Sequence, residues 1–320
     1  MPKSYAELMA AAQARAEAAR MRQQMAKAAI EELRAAPPVL QPPKHPQMDF
    51  FVAGILDVAN KGDMASMEHP LFALKAGDMR VRTYQRGDVS VTIKPGSDGC
   101  ATMHDKDVWI YCTSQLVEAM NRGRQDVSRT VRFTAHDFLV ATNRDTSGRA
   151  YERMAEALGR LKGTVIETNI ETAGQRERGG FGLVDSWRVI EKGPSGLMVA
   201  VEVTLPDWLY RSIEARQVLT LSPDYFRIRK PLHRRVYELA RKHCGGQQKW
   251  QCGLRTLHAK SGSTAPLRNF RADVRALALT DDLPDYSVQI DDLDNVTFRR
   301  RKGPASPVET IDDLLARIGK

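Results

Sequence analysis

The residues of this chain whose chemistry stands out are arginines that recur at helical spacing. On a helix predicted over residues 266–280, Arg268, Arg271 and Arg275 form one stripe on the side away from the apolar positions. An arginine side chain donates two hydrogen bonds to the edge of a guanine in the major groove of DNA. The pattern therefore predicts a helix that reads duplex DNA.

Two further groups of residues extend this prediction. Hydroxyl groups at the start of a helix can reach a phosphate, and the two that precede this helix are Ser263 and Thr264. A second predicted helix, over residues 149–162, has an outer face where two glutamates dilute the positive charge. Its basic residues are Arg149, Arg153 and Arg160. We therefore expect the later helix to make most of the base contacts.

The segment from Arg227 to Lys260 is strongly basic, with ten Lys or Arg residues and a single acidic residue, Glu238. A merely solvated helix usually mixes charges of both signs, so this excess favours a polyanionic partner. On the helix predicted after Pro231, the face away from the apolar residues carries Arg234, Arg235, Arg241 and Lys242. We expect these side chains, with Lys260, to follow the phosphate backbone. Arg234→Ala should then weaken binding to specific and random duplexes alike.

The elements that must position these residues follow one layout that occurs twice: a helix, a short strand, two helices split by a Ser/Gly turn, and a β-hairpin. In the first copy, Asp105 is a predicted helix cap, 130–133 is the strand, and Thr134 caps the next helix. In the second copy, Pro231 begins the first helix and 249–252 is the strand. This is the order of a winged helix. The sequence thus predicts an α+β protein with two tandem winged-helix domains, each a helix-turn-helix plus a β-hairpin, and a helical N-terminal extension.

Composition shifts along the chain predict four regions. They are an Ala-rich helical extension with a Pro-rich linker (1–46), a first winged-helix domain that is a candidate for dimerisation (47–205), a second winged-helix domain that is the main DNA reader (206–302), and a C-terminal tail (303–320).

Overall composition agrees with a soluble protein that binds a polyanion. The net charge is +9 and the isoelectric point is near 9.4. No stretch approaches the roughly 20 consecutive apolar residues of a membrane span, and the N-terminus leads into no apolar signal core. We expect a cytoplasmic protein with no membrane partner. The cysteines are sparse for this length and are expected to be reduced thiols: Cys100, Cys112, Cys244 and Cys252.

Catalytic chemistry has little support in the sequence. The Gly-x-x-x-x-Gly-Lys-Ser/Thr loop of P-loop nucleotide hydrolysis does not occur, and the histidines are scattered. The closest metal-like cluster is His243, Cys244, Cys252 and His258, whose spacings fit none of the usual zinc patterns. We therefore predict no catalytic residues, no metal and no cofactor, and expect that the protein is not an enzyme.

Four sequence segments resemble the plasmid replication initiator protein A family. They are 63–70 (DMASMEHP), 128–137 (SRTVRFTAHD), 224–232 (DYFRIRKPL) and 235–244 (RVYELARKHC), in a resemblance that covers about residues 46 to 290. The resemblance implies a bacterial protein with tandem winged helices that bind double-stranded DNA at the iterons of a plasmid origin. It further implies opening of an adjacent AT-rich segment, recruitment of the host proteins DnaA and DnaB, and a homodimer formed through the first domain.

Two other classes of function remain open from the residues alone. A transcriptional repressor would use the same winged helices at an inverted repeat near a promoter. A scaffold of degenerate winged helices that binds proteins would show little salt dependence of its DNA affinity.

Overall fold

The computed structural model describes residues 58–301, apart from 170, 173, 177 and 193–196, together with Glu17, Arg20, Met21, Gln24 and Leu40. Apart from those five residues, the predicted N-terminal helix, the Pro-rich linker and the C-terminal tail lie outside the described residues.

The described chain alternates helices and strands. The helices are α1 (Met64–Glu68), α2 (Asp107–Asn121), α3 (Ala135–Ala141), α4 (Gly148–Gly163), α5 (Asp207–Glu214), α6 (Pro231–Cys244), α7 (Leu254–Ser261) and α8 (Leu267–Thr280). The strands are β1 (Lys61–Asp63), β2 (Arg82–Arg86), β3 (Val89–Lys94), β4 (Thr130–Phe133), β5 (Val165–Thr168), β6 (Glu171–Thr172), β7 (Gln175–Arg176), β8 (Gly179–Gly182), β9 (Ser186–Lys192), β10 (Leu197–Thr204), β11 (Val218–Thr220), β12 (Lys249–Gly253), β13 (Tyr286–Ile290) and β14 (Asn295–Arg300).

Local sequence explains where several of these helices begin and end. The Thr134 hydroxyl accepts a hydrogen bond from the Asp137 amide and so caps α3, as predicted. Pro231 opens α6, where its missing N–H costs nothing. Gly123 follows α2 with a φ of 70°, a left-handed conformation that glycine adopts without strain.

The predicted cap at Asp105 is wrong. Helix α2 begins at Asp107, and the residue in the cap position is Lys106. The Asp105 carboxylate instead accepts a hydrogen bond from the Thr102 amide at 2.8 Å and binds Arg160 of α4. Asp105 thus stabilises the turn before α2 and forms an ion pair with Arg160. The local sequence pattern does not distinguish this arrangement from a helix cap.

The repeated layout is present in both halves of the chain. Helix α2, β4, α3 and α4 are followed by the hairpin β9–β10, while α6, β12, α7 and α8 are followed by the hairpin β13–β14. The two antiparallel sheets have the same strand order, β4-β10-β9 in the first and β12-β14-β13 in the second. In each sheet the strand before the helix pair therefore contacts the last strand of the hairpin. Together with the helices, these antiparallel sheets make an α+β fold.

An insertion separates α4 from its hairpin in the first half only. Strands β5 and β8 extend the β2–β3 hairpin into a four-stranded sheet of order β2-β3-β5-β8. The segment from Phe181 to Ile190 is apolar enough to be one strand, but residues 183–185 divide it. One part pairs in this sheet, whereas the other begins the β9–β10 hairpin.

Buried apolar residues form two cores. The first core lies within Leu71–Ile213, and we call this part the first unit. The second core draws on Leu221–Phe298, which we call the second unit, with Met67 and Ile110 added from outside it. Helix α5 packs on the first core through Trp208, Leu209 and Ile213.

Buried charges join the two units between their cores. Asp107 of α2 accepts a hydrogen bond from Arg234 Nη1 of α6 at 2.5 Å and one from Arg144 Nη2 at 2.8 Å. Lys106 Nζ lies 2.8 Å from Glu238 Oε2 of α6, and those two side chains are 1% and 0% exposed. Each charge in this inter-unit network faces an opposite charge at close range. In the complete network, the attraction between opposite charges offsets the free energy of removing them from water. Removing one member leaves a buried charge unpaired, which destabilises the protein.

The turn between α7 and α8 forms a second contact of the second unit, with Tyr84 of the first unit and with Pro70 just before it. Gly262 has a φ of 70°, and a Cβ at this position would lie 2.6 Å from Pro70 Cβ and 3.1 Å from the Tyr84 hydroxyl oxygen. Only glycine meets both demands, the left-handed backbone and the close approach.

We expect Gly262→Ala to lower the free energy of unfolding by about 2 to 4 kcal/mol, because a left-handed non-glycine residue and an overpacked contact each carry a cost. Gly123→Ala is the matched control, since Gly123 has the same φ but nothing within 4 Å of the added Cβ. Urea unfolding of the two variants separates the contact from the backbone cost. Equal losses would show that the turn does not press against the first unit.

Three histidines, the buried His233 and the half-buried His69 and His104, make stability depend on pH. Burial lowers the pKa of His69, His104 and His233 from 6.5 to about 4 in each case. The unfolded chain therefore takes up protons at these positions first, so stability falls as the pH drops from about 6.5 to about 4. The urea midpoint should decrease across this window, and His233→Gln should reduce the decrease. His136→Gln, at an exposed position, is the control; a midpoint independent of pH in this range would contradict the burial of the three rings.

Candidate nucleic-acid interface

Helix α8 has the two-faced character that a reading helix requires. Phe270, Val274 and Leu277 are buried in the second core. Arg268 and Arg275 are exposed on the opposite side, as predicted. The guanidinium groups of these two arginines are available to a partner in solution.

Arg271, the third member of the predicted stripe, forms an ion pair with Asp294. Its Nε and Nη2 atoms donate hydrogen bonds to the two carboxylate oxygens of Asp294, at 2.8 and 2.5 Å. These bonds raise the pKa of the arginine and lower that of Asp294. Arg271 thereby ties the β13–β14 loop to α8, and part of its charge is neutralised.

The two hydroxyls before α8 differ in their surroundings. Thr264 is exposed, and its Oγ1 accepts a hydrogen bond from Arg80 Nη2 at 2.9 Å. Ser263 is half-buried, and its Oγ accepts a bond from the Ala265 amide at 3.3 Å. Thr264 is therefore the better placed of the two to meet a phosphate.

On α4 in the first unit, two of the three predicted arginines are exposed. Arg149 and Arg153 are in solvent, and Arg153 Nε donates to the Arg149 carbonyl at 3.1 Å. Arg160 instead binds Asp105 through two hydrogen bonds of 2.9 Å, which raise its pKa, and it is 20% exposed. The exposed positive charge of α4 is thus smaller than that of the predicted stripe.

Arg234 was expected on an exposed face, and the structure corrects this expectation. Its side chain is 4% exposed and binds Asp107, the Ile228 carbonyl and the Phe226 carbonyl. Because the guanidinium lies in the inter-unit network, it has no path to a phosphate. The expected uniform loss of DNA affinity for Arg234→Ala is replaced by an expected loss of stability.

Arg235 was also expected on an exposed face, and this expectation is wrong because its side chain is buried. It is 1% exposed and donates to the carbonyls of Ser66, Met67, Glu68 and Lys260. This single side chain therefore holds the end of α1 against the end of α7. Its five N–H donors match a ring of carbonyls, which only the folded chain assembles.

The other three cations expected to follow the phosphate backbone, Arg241, Lys242 and Lys260, are half-buried. Arg241 Nε donates to the Thr220 carbonyl at 2.6 Å. Lys242 and Lys260 both bind the Glu68 carboxylate, with His243 Nε2 at 3.3 Å from the same group. Burial alone would raise the pKa of Glu68, but hydrogen bonds from His243 and Lys260 and the charge of Lys242 lower it far below its usual range. Much of the predicted phosphate-binding charge is therefore used inside the protein.

Other exposed cations near α8 were not predicted. Arg255 of α7 is exposed and, with Arg275, contributes electrostatically to the lowered pKa of Asp294, after the dominant hydrogen bond from Arg271. Exposed cations also lie on the second sheet, where Lys249 pairs with Arg299 on the outer face and Arg300 ends β14. Alternation of polar and apolar residues in β14 was the available signal for Arg299.

Metal and thiol chemistry have no assembled site in the described part of the chain. No group of three or more His, Cys, Asp or Glu side chains there could hold a metal ion. The four cysteines are free, and burial raises the pKa of Cys112, Cys244 and Cys252. His243 stacks on Trp250 with ring centroids 4.5 Å apart.

Among the described residues, no helix is both long and apolar enough to span a bilayer.

The chain matches one protein family and one similar protein of known sequence. The family described as Replication initiator protein A matches residues 61–288. A protein of Wigglesworthia glossinidia brevipalpis named "Putative replication protein" is 41% identical over 257 residues, which is 79% of this chain and 94% of that protein.

Among solved structures, domains 2 and 3 of RctB share the fold. One crystal structure gives a TM-score of 0.51 at 11% identity and covers 78% of this chain and 100% of that one. A second gives a TM-score of 0.49 at 12% identity over 76% and 96% of the two chains. The family match extends over more than half of this sequence, and the relative covers more than two thirds of it. This chain therefore belongs to the replication initiator protein A family.

Proposed function

We propose that this protein initiates plasmid replication by binding iteron repeats at an origin, with α8 as the helix that reads the bases. Family membership supports a replication initiator role. The observation that carries the finer proposal is the exposed pair Arg268 and Arg275 on the outer face of α8, whose inner face is buried. A helix of this kind places its arginines at guanine edges in the major groove.

We propose further that both units are winged helices. The shared element order and the shared strand order of the two three-stranded sheets support this. Two such units in one chain can occupy successive major-groove faces about one helical turn apart, so that a monomer reads a direct repeat without two-fold symmetry. Several copies bound to an array would bend the origin, and the strain would favour opening of flexible steps nearby.

On α4, Glu152 and Glu156 are exposed beside Arg149 and Arg153, whereas Asp273 is the one exposed acidic residue of α8 beside Arg268 and Arg275. This difference supports a division of labour in which the second unit reads DNA and the first unit forms a homodimer. We also propose that the protein recruits DnaA and DnaB and acts in the cytoplasm. In this proposal it functions by binding and not by catalysis.

The salt dependence of DNA affinity tests whether the surface binds duplex at all. Six to ten phosphate contacts should weaken binding to a random duplex by about 10³- to 10⁵-fold between 50 and 200 mM salt. An affinity that barely changes with salt would contradict the proposal and favour a protein-binding scaffold. A bound site that is an inverted repeat at a promoter, occupied by dimers, would instead identify a transcriptional repressor.

A further inference from the structure

One exposed arginine of the first unit lies against the start of the reading helix of the second unit. The Arg80 side chain is 58% exposed. Its Nε donates to Asp78 Oδ1 at 2.8 Å, and its Nη2 lies 3.3 Å from Asp78 Oδ2 and 2.9 Å from Thr264 Oγ1. Arg80 and Thr264 are 184 residues apart in sequence, so this contact exists only because the two units are held together.

The hydrogen bonds of Arg80 leave one side of its guanidinium open. An arginine has five N–H donors, one on Nε and two on each terminal nitrogen. Asp78 and Thr264 engage Nε and Nη2, while Nη1 has no hydrogen bond to any described residue. The hydrogen bonds that Arg80 donates to Asp78 raise the pKa of the guanidinium, which therefore stays charged. The group is thus fixed in orientation and still has two donors facing solvent.

The Thr264 hydroxyl complements this arrangement. A hydroxyl has one donor and two acceptor positions. Because its oxygen accepts from Arg80, its own proton remains available for a phosphate oxygen. Thr264 precedes α8 by three residues, and the exposed Arg268 lies in the first turn of that helix. Arg80 therefore stands at the same end of α8 as the first predicted base contact.

We propose that Arg80 binds a phosphate of the duplex that α8 reads, so that the first unit completes the DNA-binding surface of the second. This inference rests on the proposed function. Phosphate contacts fix the register of a protein on DNA, whereas base contacts specify sequence. Arg80 is accordingly a positioning residue: it couples the relative placement of the two units to the placement of α8 in the groove.

Arg124 provides a closely matched control. It is 60% exposed and is held by Asp126, two residues away, through Nε and Nη2 at 2.9 and 2.5 Å. The same chemistry therefore occurs at a second surface site, without the contact to the second unit.

The test compares Arg80→Ala, Arg80→Lys and Arg124→Ala in the full-length protein, with affinity measured on a duplex that carries the bound repeat and on a random duplex. We expect Arg80→Ala to weaken both by about tenfold and to reduce the salt slope by about 1, as for one lost phosphate contact. Arg80→Lys keeps the charge but loses the two-pronged hold, and should fall between Arg80→Ala and the unchanged protein. Arg124→Ala should change neither affinity nor slope.

Other outcomes separate this inference from the proposed function. An unchanged affinity and slope for Arg80→Ala, in a protein where Arg268→Ala abolishes sequence preference, would overturn the inference and leave the proposed function intact. Equal losses for Arg80→Ala and Arg124→Ala would also overturn it, because a general charge effect would explain both. Thermal unfolding of each variant, expected to be close to that of the parent protein, shows that lost affinity is not lost structure.

Discussion

Replacing Asp107 by alanine should destabilise the protein by about 3 to 5 kcal/mol, the cost of leaving a buried charge without its partner. Asp107 is 1% exposed and binds both Arg234 and Arg144. Without the carboxylate, the Arg234 guanidinium stays buried with one of its donors unsatisfied. A loss of this size approaches the whole stability of many single domains.

The control for this prediction is Asp126→Ala. Asp126 also binds an arginine, Arg124, but the two side chains are 68% and 60% exposed. Exposed pairs contribute about 0 to 1 kcal/mol, so its removal should change the urea midpoint little. Similar losses for the two variants would show that the inter-unit network is hydrated.

A double-mutant cycle with Asp107→Ala and Arg234→Ala measures the coupling directly. We expect the double variant to be less destabilised than the sum of the two single variants, since neither buried charge remains. DNA affinity per folded molecule should be unchanged for Arg234→Ala. A uniform loss of affinity in a fully folded Arg234→Ala protein would restore this residue to the phosphate-binding surface.

Replacing Arg268 and Arg275 together by alanine should remove most of the preference for the specific site. Each well-formed pair of bonds to a base contributes about 1 to 3 kcal/mol of discrimination, so each lost contact should reduce the ratio of specific to random affinity by about 5- to 150-fold. Both side chains are exposed and lie outside the second core, so the fold should remain stable.

Arg188→Ala is a suitable control for this pair. Arg188 is 68% exposed on β9 of the first unit, where it binds Glu202, and it should leave the preference unchanged. Competition binding with specific and random duplexes gives the ratio. Equal losses on both duplexes for the Arg268 and Arg275 changes would mean that α8 touches only the DNA backbone.

The helices that carry the candidate interface could be predicted from the sequence because their signals are local. Helix α8 follows Pro266 and has Phe270, Val274 and Leu277 at helical spacing, and both its predicted ends agree with the structure to within a residue. Helix α4 was similarly predicted from its turn and its apolar stripe. Exposure of Arg268 and Arg275 followed from the same periodicity.

The partners of Arg234 and Arg235 could not be predicted, because they come from distant parts of the chain. Residues 233–240 of α6 are all buried, so this helix has no exposed face over two turns. Asp107 is 127 residues before Arg234, and the carbonyls that surround Arg235 lie on α1 and α7. Helical periodicity in a single sequence predicts that such arginines are exposed. Here Asp107 stabilises the buried Arg234, and backbone carbonyls from α1 and α7 stabilise the buried Arg235.

Two features of the sequence do fit this outcome in retrospect. Glu238 is the single acidic residue of the basic segment, and it binds Lys106 in the inter-unit network. Glu68, at the end of α1, gathers two lysines from α6 and α7. Charges that are isolated in sequence are thus paired in space, which reduces the cationic charge that α6 and Lys260 present to solvent.

The measurement that tests the proposed origin binding most directly is a footprint of the purified protein on DNA flanking its own gene, with the size of the bound species determined in parallel. We expect protection of evenly spaced direct repeats by monomers, and loss of that protection for the Arg268→Ala and Arg275→Ala double variant. Protection of one inverted repeat by dimers, or no protection of any sequence, would contradict iteron binding through α8.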